Sequence, residues 1–139
     1  MKLQAIVDAG PLVAALSEAD KYHAWVVQPL ATFQPPLLTC EAVLSETCFL
    51  LWKRRTMLPI EVLFRWLNQG TIALPFQLHS ETAVIGQLMK NYANVPMSLA
   101  DAGLVRMSEQ YPNHVILTLD SDFHIYRKHG RQIIPVMMP

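Results

Sequence analysis

The sequence has no excess of either charge: 11 Lys and Arg balance 11 Asp and Glu over 139 residues. That balance excludes strong non-specific attraction to nucleic acid, so RNA or DNA would have to be held by local patches and bound cations. No apolar run reaches the ~18 residues needed to cross a membrane. The opening stretch MKLQAIVDAG carries one Lys, but its apolar part is too short for a signal peptide and Asp8 interrupts it. Cysteine is scarce. Cys40 and Cys48, on a strand and the following helix, read as buried thiols of a cytoplasmic protein rather than as a disulfide or a zinc pair. There is no internal repeat, low-complexity segment or linker, and the length suits a single domain over residues 1–139.

What is present is apolar. Hydrophobic residues make up 52% of the chain and charged residues 16%, a composition for a packed core. A mean hydropathy of +0.23 with zero net charge points to apolar surface covered by another subunit or partner. Short apolar runs alternate with helical patterns. The expected strands are Leu3–Asp8, Leu37–Cys40, Thr71–Phe76, Val115–Leu119 and Gln132–Val136. The expected helices are Pro11–Ala19, Tyr22–Thr32, Glu41–Arg54, Ile60–Asn68, Glu81–Asn91 and Leu99–Glu109, with a short turn near Phe123–Lys128. Strands separated by helices pair in parallel through right-handed crossovers. The runs AIV and VILTL are apolar on both faces, as a covered parallel sheet requires. The expected architecture is α/β: a three-layer α/β/α sandwich with a central parallel sheet of about five strands.

Acids stand where acids are costly. Asp8 ends the first strand, and a carboxylate leaving a core there costs several kcal/mol without a partner. HVILTLDSDF ends a second apolar strand in Asp120 and Asp122. In LLTCEAVLSETCFLLWKR, Val43, Leu44, Phe49, Leu50 and Leu51 give the helix a wide apolar face, and Glu46 points from that face. In PMSLADAGLVRM, Asp101 borders the apolar face of a helix that starts at Ser98. Each acid has a local explanation: Ser98 and Asp101 form a capping-box pattern, and Asp8, Asp120 and Asp122 suit helix caps or turns. Taken together, a parallel sheet brings Asp8, Glu46, Asp101 and Asp120 to one rim. Four neighbouring carboxylates repel and raise one another's pKa values. A hard cation, Mg²⁺ or Mn²⁺, relieves that, and no His belongs to the set, which argues against zinc. A metal of this kind activates water and neutralises phosphoryl oxygen, the chemistry of phosphodiester hydrolysis.

In order along nearly the whole chain, IVDAGPLVAALSEADKYH, LLTCEAVLSETCFLL, MSLADAGLVRMSE and ILTLDSDFHIYRKHG resemble the landmarks of PIN-domain ribonucleases, in particular the VapC-type toxins of type II toxin–antitoxin modules. The resemblance implies a PIN-like fold and an Mg²⁺- or Mn²⁺-dependent endoribonuclease acting on RNA. It also implies a homodimer and a cognate antitoxin whose tail enters the active groove. On the resemblance, Asp8, Glu46 and Asp101 match the three shared acids and Asp120 the fourth, more variable one, with Asp122 a substitute or helper. Thr118 matches a hydroxyl that supports the acids. Ala9 and Gly10 stand where many relatives have Ser or Thr, so either one supporting hydroxyl is missing or a backbone N–H serves instead.

Lys53, Arg54 and Arg55 in WKRR, and Arg127, Lys128 and Arg131 in YRKHGR, are the cations expected to flank an RNA groove. Their plain alternative is favourable placement at helix C-termini. His124 and His129 read as solvated surface. Trp66, with Leu63 and Leu67, reads as core ahead of a partner surface. Competing readings are a non-catalytic interaction domain of the same fold, its acids merely capping elements, and a solitary RNA-processing nuclease. A receiver-like domain, which wants paired acids and a lysine at strand ends, fits poorly, and so does a phosphatase-like one, because position 10 is Gly where a second Asp is needed.

Overall fold

The computed structural model describes residues 2–54 and 57–139, so Arg55 lies outside the described residues. Ala5, Ile6, Val7, Ile116 and Leu117 are completely enclosed. Strands apolar on both faces must be covered on both sides by helices. In chain order the elements are β1 (Gln4–Val7), α1 (Ala9–Leu16), α2 (His23–Thr32), β2 (Leu37–Leu38), α3 (Glu41–Lys53), α4 (Leu58–Asn68), β3 (Ile72–Ala73), α5 (Thr82–Asn91), α6 (Leu99–Gln110), β4 (His114–Leu117), β5 (Arg127–Lys128), β6 (Gln132–Ile133) and β7 (Val136–Met137). Single 3₁₀ turns occupy Leu78–Glu81 and Ser121–His124.

The main sheet runs β3-β2-β1-β4-β7, and every neighbouring pair is parallel. With helices on its faces it is a three-layer α/β/α sandwich, as the alternation of strands and helices implied. β1 is the central strand, in register with β4 from Gln4–His114 to Val7–Leu117. The chain first builds outward from β1 through β2 and β3, then returns to the other side of β1 with β4 and β7. The crevice beyond the carboxyl ends of β1 and β4 is therefore the topological switch point, where open α/β sheets bind ligands.

Two glycines bring the layers close. A Cβ on Gly103 of α6 would sit 3.1 Å from Cys40 Sγ at the start of α3, and one on Gly10 would sit 3.2 Å from the Leu119 side chain. Both glycines lie two residues past an acid of the expected set, so they fix how near α6 and α1 bring Asp101 and Asp8 to their neighbours.

Some expectations shift. The strand expected over Gln132–Val136 divides at Pro135. Gln132–Ile133 pairs antiparallel with Arg127–Lys128 in a separate ribbon, and Val136–Met137 becomes the fifth strand of the main sheet. Ile133 is 73% exposed while Ile134 is buried, so the run is apolar in composition but not uniformly in place. The turn expected near Phe123–Lys128 is a 3₁₀ turn that feeds directly into β5. On α3 the buried face is Val43, Thr47 and Leu51, spaced as a helix stripe. Phe49 is exposed, which narrows the face expected there. Leu63 is buried and Trp66 and Leu67 pack against the core, while Phe64 faces out. Cys40 and Cys48 are free thiols. Among the described residues no helix is long and apolar enough to cross a membrane.

Candidate functional site

The site is built at the switch point from four elements. Asp8 ends β1 and caps α1: Oδ1 accepts the Ala9 N–H at 2.8 Å, and Oδ2 accepts the Thr118 hydroxyl at 2.7 Å. Thr118 follows β4, is fully buried, and its Oγ also accepts the Asp120 N–H at 3.0 Å. Asp120 Oδ1 in turn accepts the Asp122 N–H at 2.9 Å. One hydroxyl thus ties the ends of β1 and β4 together, and the backbone N–H of Ala9 serves where a second hydroxyl was expected to be missing.

Asp101 comes from the first turn of α6, which Ser98 caps by accepting the Asp101 N–H at 3.0 Å. The serine half of the expected capping box is therefore present. The Asp101 carboxylate is engaged elsewhere, where Oδ2 accepts the Tyr126 hydroxyl at 2.7 Å. Tyr126 is completely buried, with Phe123 and Tyr92 edge-on to its ring, each at 5.2 Å between centroids. Burial and the Asp101 carboxylate hold its phenol far above the ordinary pKa, so it remains a donor. Sequence reasoning missed this residue. Its signal was an aromatic with a polar tip just after Phe123 and Ile125, which needs a partner once buried. Tyr126→Phe is expected to lower stability by about 1.5 kcal/mol, the scale of a hydrogen bond to a charged group, read by urea unfolding.

The acids act on one another. Burial pushes Asp8 up to about 6; the Thr118 and Ala9 hydrogen bonds oppose this, and the charges of Asp101 and Glu46 add to it. Burial also raises Asp101, helped by the charge of Asp120 and offset by Tyr126 and Ser98. Glu46 is exposed rather than turned into the core, yet partial desolvation and the charges of Asp101 and Asp120 raise it too. Asp8, Glu46, Asp101 and Asp120 therefore share one electrostatic neighbourhood. Of the two acids after β4, Asp120 is the one whose charge bears on Asp101 and Glu46; Asp122 contributes its N–H to Asp120. As they stand, no three His, Cys, Asp or Glu side chains among the described residues close on a single point. Both Asp8 oxygens and one Asp101 oxygen are already hydrogen-bonded, and uncompensated carboxylates repel. The donor set is carboxylate oxygen throughout, the kind that Mg²⁺ and Mn²⁺ take.

The chain matches no protein-family model and no curated protein.

The expected cations have separate tasks. Arg54 donates to Ser17 Oγ at 2.9 Å and to Asp20 Oδ2 at 3.0 Å. Lys53 lies over the Phe49 ring. Arg127 Nη1 donates to the carbonyls of His124, Ile125 and Tyr126, closing the turn after Asp122 rather than facing outward. Lys128 is half-buried in the small ribbon, whereas Arg131, His124 and His129 are exposed. The His129 N–H donates to Glu109.

Proposed function

We propose that the protein is a divalent-metal-dependent endoribonuclease of the PIN-domain kind, acting as the toxin of a type II toxin–antitoxin pair. The single observation that supports the reading is the mutual influence of acids from four elements near the switch point: Asp8, Glu46 and Asp101 are each raised in pKa first by burial and then by the charge of another acid of the set, Asp120 included. A set of caps needs no such mutual influence. These four residues would hold Mg²⁺ or Mn²⁺, which when bound polarises a phosphoryl oxygen and makes water a better nucleophile. The chain's own contribution is positioning. Thr118 and the Ala9 N–H fix Asp8, Tyr126 orients Asp101, and the exposed Glu46 faces solvent where it can accept a proton from attacking water.

The partner side of the reading is supported by α3 and α4, which pack on each other and expose Phe49, Trp52, Leu58 and Phe64. Exposed apolar surface of that extent suits a second subunit or an antitoxin.

Purified protein is expected to cleave single-stranded RNA with Mg²⁺ or Mn²⁺, to stop in EDTA, and to resume when metal is restored. RNase activity that belongs to the protein and persists in EDTA rejects the metal reading. No cleavage together with no metal-linked rise in melting temperature favours the non-catalytic interaction domain.

A further inference from the structure

Near the ends of β1 and β4 a cavity of about 810 Å³ runs along α1. One end is formed by Gly10 and Leu119, two residues past Asp8 and one before Asp120. Val13 and Leu50 continue its apolar wall. The far rim is polar and carries Lys21 and Arg54 against one carboxylate, Asp20. Arg54 is held there in a defined orientation: one Nη donates to Ser17 and the other to Asp20, and its side chain remains 42% exposed. A guanidinium has five N–H donors, so the pairing commits two and leaves the others for a ligand. Asp20 Oδ1 also accepts the Tyr22 N–H at 2.9 Å, and the Lys21 ammonium lies 4.9 Å from the centre of the Tyr22 ring, which fixes the rim further.

We infer that this cavity is a nucleotide subsite. It receives one base of a single RNA strand next to the phosphate at the acids, and Arg54 takes the neighbouring phosphate. The inference rests on the nuclease reading and gives it a place on this chain, with Arg54 and Leu50, where the unpaired strand is held. Unpaired bases can leave the stack and enter an apolar slot, whereas bases in a duplex cannot. The order of surfaces suits a nucleotide chain: an end at Gly10 and Leu119, next in the chain to Asp8 and Asp120, an apolar wall, then a cationic rim whose planar fork suits phosphate. The volume lies within the roughly 300–1,000 Å³ typical of small-ligand sites.

The test uses the full chain and a fluorescently labelled single-stranded RNA octamer, with Ca²⁺ present to offset the carboxylates. Binding is read by anisotropy, and kcat and KM are measured in parallel with Mg²⁺. Arg54→Lys keeps the charge but loses the fork, Leu50→Trp fills the wall, and Lys21→Ala alters an exposed position; melting curves establish that each is folded. Arg54→Lys and Leu50→Trp are each expected to weaken binding and raise KM about tenfold, with kcat within about twofold. Lys21→Ala is expected to weaken binding by a smaller factor. Parent-like binding and KM in all the folded variants overturns the subsite while leaving the nuclease reading intact. A fall in kcat at unchanged KM also overturns it. Weakened binding in a protein that never cleaves RNA overturns the nuclease reading and leaves the strand-binding site standing.

Discussion

Asp101→Asn is expected to reduce metal-dependent RNA cleavage by about a hundredfold or more, the scale of losing a preorganised charge at a reacting centre. The substitution is nearly isosteric. The Ser98 cap uses the Asp101 backbone N–H and survives, and Tyr126 can still donate to the amide oxygen at that position. The loss therefore reports on charge rather than on folding. The same variant is expected to lose most of the metal-linked rise in melting temperature. Glu61→Gln, at an exposed acid of α4, serves as the control and should cleave like the parent. Parent-like rates in Asp101→Asn would remove this residue from the metal site and with it the main support for hydrolysis.

The second large effect is on the metal-free protein. Asp8 is raised from 3.8 to about 6, first by burial, with the charges of Asp101 and Glu46 adding. A carboxyl whose folded pKa is raised is harder to ionise in the folded state than in the unfolded chain. Below about pH 4 both states hold the proton and no penalty exists. Between about pH 4 and 6 the unfolded chain ionises first, and the fold loses stability as pH rises. Above about pH 6 the full penalty applies, about 3 kcal/mol for this one group. Asp101 and Glu46 are shifted in the same direction. Urea unfolding in EDTA is therefore expected to show lower stability near pH 7 than near pH 4.5. Asp8→Asn keeps an N-cap residue for α1 and removes the charge, so it should be the more stable protein near pH 7 without metal. Saturating Mn²⁺ should reverse that order, since a cation at one thousand times its Kd adds about 4.1 kcal/mol to the parent, more than the penalty at Asp8. A metal-free stability that is flat across this range would show that Asp8 is not under the strain described.

Much of this arrangement was legible from local pattern. β1 and β4 announce themselves as short runs apolar on both faces, and their ends place Asp8 and Asp120 at the same rim once the sheet is parallel. Asp101 was legible because Ser98 marks where its helix starts. Other parts depend on tertiary contacts that periodicity does not encode. Glu46 was expected on the inward face of α3, but Val43, Thr47 and Leu51 take that stripe and leave Glu46 at its solvent margin. The register of α3 is set by its packing against α1 and α6, not by the count of apolar residues. Tyr126 escaped notice because its partner lies 25 residues away in the chain. The cationic segment YRKHGR gave no sign that Arg127 would turn back onto three carbonyls of its own turn. A cation-rich stretch in sequence cannot say which of its side chains the backbone will consume.

The central position of β1 has a consequence for synthesis. Its outer neighbour β2 follows soon after, but its other flank waits for β4, more than a hundred residues later in the numbering. Loop closure over that span is slow and must precede the Thr118–Asp8 contact. On the ribosome, a nascent chain that has already exposed Asp8, Glu46 and Asp101 still lacks the strand that anchors them. Until translation has passed Thr118, Asp8 has no hydroxyl to fix it and the end of the central strand stays unpaired on one flank.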